Sequence, residues 1–208
     1  DIYQDFKAML AGAMDDLIVG DPKDTRTDVG PIISVDAANK IKAYVDIKRS
    51  EGFKIFCANE NHSHTDQFIQ PTFIEMSSLS DINEEIFGPV LHLVSFQEKN
   101  LEIVLQELKS KGFGLTFGIH SRIESKATKI SKLVSSGNSY INRDMIGAVV
   151  GTQPFGGSGL SGTGHKAGGP NYLIQFMNEK LVSINTVAIG GNAELLNLET
   201  ENGNSQGT

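Results

Sequence analysis

Between residues 53 and 142, short runs rich in β-branched and aromatic residues alternate with amphipathic helical stripes, and few architectures accept that alternation. Residues 53–57, 68–76, 90–96, 115–120 and 138–142 read as strands. Leu101, Val104, Leu105 and Leu108 recur at i, i+3, i+4 and i+7, and Ile123, Ala127, Ile130 and Val134 form a second stripe. Asn100 stands at the first helix's cap position, Ser121-Arg122-Ile123-Glu124 has the form of a capping box, and Gly137 follows where the second helix would close. Two further helices come earlier. Ile2, Phe6, Met9, Leu10, Ala13 and Leu17 define one that stops near Gly20-Asp21-Pro22; residues 36–49 form the other, with Gly52 just past its end. The pattern predicts an α/β fold with an open, largely parallel sheet and helices on its faces.

With 208 residues the chain is long enough to bury a core without disulfides or metals. Its net charge of -7, with Lys and Arg scattered in singles and short pairs, disfavours nucleic acid and anionic membrane surfaces. No apolar run approaches the roughly 20 residues of a membrane-spanning helix, and the first residues carry no secretory signal pattern. The single cysteine, Cys57, excludes an internal disulfide and fits a reducing, cytoplasmic setting; in its strand it reads as a small buried hydrophobe. Only His62 and His64 among the five histidines are close in sequence, on a polar, hairpin-like stretch, so a metal centre is not expected.

From residue 147 to 170 nothing is periodic and glycine is crowded, which marks one long functional loop. Gly157-Ser158-Gly159-Leu160-Ser161-Gly162 matches G-x-G-x-x-G, but no strand precedes it and Thr163 to Pro170 is too rich in glycine to open a helix. Those glycines read as tight turns instead. Two segments carry more information. Asn83-Glu84-Glu85-Ile86-Phe87-Gly88-Pro89-Val90 packs acid, ring, Gly and Pro into a stiff turn that projects a carboxylate and an aromatic side chain. In Gly147-Ala148-Val149-Val150-Gly151, continuing to Pro154-Phe155-Gly156-Gly157, exposed backbone N–H groups have the means to bind an anion beside an aromatic wall. Local chemistry leaves a packed turn and a binding loop both open for each.

In this order and separation the two segments resemble the aldehyde dehydrogenase superfamily. Val19-Gly20-Asp21-Pro22, Thr27-Asp28-Val29-Gly30-Pro31-Ile32, Gln70-Pro71-Thr72 and Gly114-Leu115 extend the likeness over nearly the whole chain. Lys166-Ala167-Gly168-Gly169-Pro170 and Gly190-Gly191-Asn192-Ala193 resemble, within that superfamily, the pyrroline-5-carboxylate dehydrogenase module of bifunctional proline-utilisation flavoenzymes. The resemblance implies an NAD-dependent oxidoreductase of proline catabolism that converts L-glutamate γ-semialdehyde to glutamate, with FAD only if a proline dehydrogenase half is present upstream. It implies that Glu85 bonds the nicotinamide ribose hydroxyls, that Phe87 lies beside the nicotinamide, that the Gly147 and Ala148 amides hold the substrate carboxylate, and that Phe155 walls the aldehyde site.

It also implies a division of the chain: residues 1–180 as a partial catalytic domain incomplete at its N-terminus, 181–193 as an oligomerisation strand (181–186) and following segment, 194–208 as a polar, disordered tail. The family's nucleophilic cysteine, its general-base glutamate and its nucleotide-binding domain belong upstream of Asp1. Cys57 does not match that nucleophile, so no catalytic or metal-ligating residue is assigned and the chain alone is expected to be inactive. A homo-oligomer, or association with the upstream part, is the expected assembly. Two alternatives stand beside this reading: a non-catalytic binding or assembly remnant, and a fragment of a dehydrogenase for another aldehyde.

Overall fold

The computed structural model describes residues 2–59, 65–162, 164–185 and 187–188. The chain divides into two units, one of Asp1–Gly147 with Phe155–Thr163, the other of Ala148–Pro154 with Gly164–Thr208.

The first unit is built around a three-stranded sheet whose middle strand has side chains buried on both faces. Strand β1 (Lys54–Cys57) pairs antiparallel with β2 (Thr72–Met76), which pairs in parallel with β3 (Val90–Val94). Side chains alternate across a strand, so neighbours on β2 enter different layers. Phe73 packs with Met14, Ala58 and Leu93 beneath helix α1 (Tyr3–Asp15), while Ile74 and Met76 pack with Tyr44 beneath helix α2 (Val35–Ser50). Each helix arrives with a polar tie. Tyr3 donates to one Glu75 oxygen and Lys7 to the other, both at 3.0 Å. Burial alone would raise the Glu75 pKa, but these two donors hold the carboxyl below its ordinary value. On the other face the Tyr44 hydroxyl lies 2.9 Å from His92 Nε2 on β3.

Local signals account for α2. Ser34 has extended backbone and its hydroxyl accepts from the Ala37 N–H, while Gly52, at φ 89°, reverses the chain beyond the helix end. The two sequence segments around Val19 and Val29 close on each other. Their backbones bridge in parallel, Gly20 donates to the Val29 carbonyl, and Val19 is fully buried.

Next along the chain come helix α3 (Leu101–Ser110), short strand β4 (Phe113–Gly114), strand β5 (Thr116–Ile119), helix α4 (Glu124–Leu133) and strand β6 (Asn138–Ile141). Strands β5 and β6 pair in parallel with α4 between them, the expected crossover unit, and Ala127 is fully buried on α4. Strand β7 (Ser158–Gly159) pairs antiparallel with β4. Among the described residues the strands form three small sheets with both parallel and antiparallel pairs, where the sequence suggested one largely parallel sheet.

Several local expectations are corrected. Asn100 ends a single 3₁₀ turn and makes no side-chain cap. Ser121 and Glu124 form no capping box: helix α4 starts at Glu124, and the Ser121 hydroxyl accepts from the Ile123 N–H. Gly137 is not a left-handed cap; a methyl group there would overlap the carbonyl oxygen of Gly156. The second strand begins at Thr72, because Pro71 has no N–H to donate to a ladder. Cys57 is exposed rather than buried, with the Thr72 hydroxyl 3.6 Å from its sulfur. The G-x-G-x-x-G segment is strand β7 running into turns, Ser161 donating to Ser158 and Gly162 to Gly159. Just past the end of α3, the Lys111 ammonium donates to the Ile82 carbonyl at 2.6 Å.

In the second unit Val149 and Gln153 bridge across a tight turn, Gly151 donates to the Gly168 carbonyl, and Tyr172–Phe176 is a 3₁₀ turn. Residues 177–185 adopt no regular structure, so the strand expected at 181–186 is not formed within this chain; Thr186 lies outside the described residues. So do His62, His64 and the tail from 189 onward.

Candidate functional site

The Glu85–Phe87 segment owes its shape to Ile86. That side chain packs against the clusters containing Ala38 and Ile41 on one side and Tyr44 and Ile74 on the other. Ile86 turns inward to partial burial, and its two neighbours turn out. Glu85 and Phe87 are accordingly exposed, Phe87 at 81%. Two tight turns follow, with Gly88 donating to the Ile86 carbonyl and Val90 to the Gly88 carbonyl, both bonds spanning two residues. A methyl at Gly88 would lie 2.6 Å from the Ile41 terminal carbon, so any larger residue would push that side-chain tip aside. The chain then enters β3, its entry fixed by Thr72 donating to the Pro89 carbonyl. A carboxylate and an unpacked ring are thereby presented together at the start of a core strand.

The second candidate segment hangs from β6. Tyr140 is buried, and its hydroxyl donates to the Gly147 carbonyl at 3.1 Å. Asn142 holds φ 54°, unusual for a residue with a side chain, and that side chain both accepts from the Ser121 N–H and donates to the Ser121 carbonyl. Gly147 has φ 96°, and among the described residues its N–H and that of Ala148 donate to no protein acceptor. Both residues are exposed. Unpaired consecutive amides in such a turn attract an anion.

Phe155 is half-buried and opens a stretch clamped onto the start of β6. Gly156 donates to the Asn138 side chain at 3.2 Å, and Gly114 donates to the Ser161 hydroxyl at 3.0 Å. A side chain at Gly157 would overlap the Ser161 carbonyl, so this stretch tolerates only glycine. Tyr140 and Asn142 escaped the sequence reading. An Asn directly after a strand is a signal for left-handed backbone, but nothing local marks Tyr140, whose partner lies seven residues on.

Cavities among the described residues lie elsewhere. One of about 800 Å³ borders the loop of Asp21, Lys23 and Arg26, one of about 300 Å³ opens between α1 and Phe56, and one of about 50 Å³ lies by Phe113. None is lined by Glu85, Phe87, Gly147, Ala148 or Phe155. Among the described residues no group of three His, Cys, Asp or Glu side chains is placed to hold a metal, and no helix is long and apolar enough to cross a membrane.

Comparison with known proteins adds to this geometry. The profile of the aldehyde dehydrogenase family matches residues 1–182. The bifunctional protein PutA of Salmonella typhimurium is 40% identical over 183 residues, covering 85% of this chain and 14% of that protein. The 1-pyrroline-5-carboxylate dehydrogenase of Geobacillus sp. is 39% identical over 185 residues, covering 88% of this chain and 35% of that enzyme. The solved structure of a proline utilization A protein (PutA) variant from Bradyrhizobium japonicum superposes with a TM-score of 0.83 at 44% identity, over 90% of this chain and 19% of that one. The chain therefore spans between about an eighth and about a third of the length of these curated relatives.

Proposed function

Because this chain belongs to the aldehyde dehydrogenase family, we propose that it is the substrate-anchoring and ribose-binding part of an NAD-dependent dehydrogenase that oxidises L-glutamate γ-semialdehyde to glutamate. Its relatives carry the names PutA and 1-pyrroline-5-carboxylate dehydrogenase, and its fold, mixed sheets with helices, matches a PutA structure. The observation that carries the substrate class is the pair of unpaired amides at Gly147 and Ala148, a donor set suited to a carboxylate rather than to an uncharged aldehyde.

On this reading the Glu85 carboxylate, exposed and without a described donor of its own, offers two acceptor oxygens to the vicinal hydroxyls of a ribose. Phe87 gives a flat apolar face beside it, and Phe155 a wall against the aldehyde carbon chain. NAD held by these residues would supply the hydride acceptor for oxidation of the aldehyde. The residues assigned here bind and orient; none is assigned a bond-making role. Holding the carboxylate fixes how far the aldehyde group reaches, and such positioning is what separates one aldehyde from another.

The test is Gly147→Val in the dehydrogenase that carries this segment. A branched residue at φ 96° distorts the turn and costs about 1–2 kcal/mol. KM for glutamate semialdehyde is expected to rise roughly tenfold while turnover of an uncharged aldehyde of similar length is kept. Equal effects on both aldehydes, or none, would remove the anchor assignment.

A further inference from the structure

Tyr140 is given no contact with cofactor or substrate above, yet it holds the oxygen of the peptide group that joins Gly147 to Ala148. A trans peptide is planar, with its C=O and N–H pointing in opposite directions. Fixing the oxygen therefore aims the hydrogen. We infer that Tyr140 is a positioning residue: its hydroxyl, by holding the Gly147 carbonyl, directs the Ala148 N–H away from β6 toward the substrate carboxylate. The inference rests on the anchor reading of Gly147 and Ala148.

Three observations support it. First, Tyr140 itself cannot follow the loop. It is 6% exposed, sits in the β5–β6 ladder opposite Gly118, and its ring lies under the Arg143 guanidinium at 4.9 Å. Second, nothing else fixes that peptide plane from the Gly147 side. No atom lies within 4 Å of where a Gly147 side chain would begin, and glycine permits the plane to rotate at little cost. Third, the segment leading into Gly147 is itself held in place. Asn142 grips both backbone groups of Ser121, and the Met145 sulfur covers Gly118, where any side chain would collide with it. The approach to Gly147 is thus held beside β5, and the Tyr140 hydroxyl on β6 fixes the carbonyl at its end.

The experiment uses the full chain, isotope-labelled, with L-glutamate as the probe and glutaramide, of the same length but without a carboxylate, as the control. Wild type, Tyr140→Phe, and Tyr140→Phe in a Gly12→Ala background that strengthens α1 far from the loop are compared. In wild type, glutamate is expected to shift the Gly147 and Ala148 amide signals saturably and glutaramide to leave them unmoved. Loss of one hydroxyl is expected to raise the glutamate dissociation constant roughly three- to tenfold, with the β5 and β6 signals unchanged. A merely structural role would lower the melting temperature and leave the affinity of the folded protein as it was. Unchanged affinity in folded Tyr140→Phe, with wild type still binding, overturns the role of Tyr140 and spares the anchor. No saturable response in wild type removes the anchor, and this inference with it.

Discussion

At Gly137 an alanine methyl would overlap the carbonyl oxygen of Gly156, whereas at Gly12, inside α1, it would meet nothing within 4 Å. The same substitution therefore has opposite signs at the two positions. Gly12→Ala removes backbone freedom from the unfolded chain and is expected to stabilise by about 0.5–1 kcal/mol. Gly137→Ala forces two backbone segments apart and is expected to destabilise by about 2–3 kcal/mol. Urea denaturation of both variants checks this; an unchanged midpoint for Gly137→Ala would show that the Gly156 stretch moves aside freely. The pair also shows what a sequence yields at this scale. Gly137 was visible as a glycine after a helix, but its partner is 19 residues later and belongs to no periodic pattern. The same holds for Tyr140 and Gly147. Glu85, Phe87 and Gly147, by contrast, stand in short motifs whose residue types announce a carboxylate, a ring and a left-handed turn.

The element boundaries were largely legible because each rests on local causes. Apolar spacing defines α1 and α3, the Ser34 hydroxyl starts α2, and β-branched runs define β3 and β5. What was not legible is how the elements dock, since docking depends on pairs far apart in the chain. The α2 interface is an example. His92 on β3 faces Tyr44 and Lys48 on α2, and burial first, then the Lys48 charge, lowers its pKa below the ordinary histidine value. The neutral imidazole can accept the Tyr44 hydroxyl proton; the imidazolium cannot use Nε2 that way. Because the folded pKa lies below the unfolded one, the unfolded state binds more protons between the two values. Stability is therefore full above about pH 6.5 and falls as pH drops toward the folded pKa. Urea titrations from pH 8 to pH 5 are expected to show that fall in wild type and a weaker one in His92→Gln. A parallel pH dependence in the variant would assign the slope to groups other than His92; Glu75 is not one of them, since its lowered pKa places its own loss of stability below the ordinary carboxylate range and so below this window.

At the scale of the whole molecule, apolar side chains stand in solvent where backbone is also unpaired. Leu181 is 91% exposed and Val182 and Ile184 are each 64% exposed; among the described residues the N–H groups of 181–184 donate to no acceptor. Soluble monomers rarely leave apolar side chains and free strand-forming backbone together, because that combination pairs with another chain. Val182 and Ile184, two residues apart, would share one face if this segment were extended. The outward side of α1 is apolar too, with Ile2, Phe6 and Met9 exposed, but there the helix satisfies its own backbone and offers only side chains. The two surfaces make different predictions. If residues 181–186 form the oligomerisation strand, the chain self-associates, and Val182→Lys with Ile184→Lys shifts sedimentation equilibrium toward the monomer. Phe6→Lys with Met9→Lys leaves that equilibrium in place. The net charge of -7 opposes association, so salt that screens it is expected to strengthen the wild-type oligomer. Distributions that respond to the α1 pair and ignore the 182/184 pair would move the contact to the helix face and leave the strand without a role.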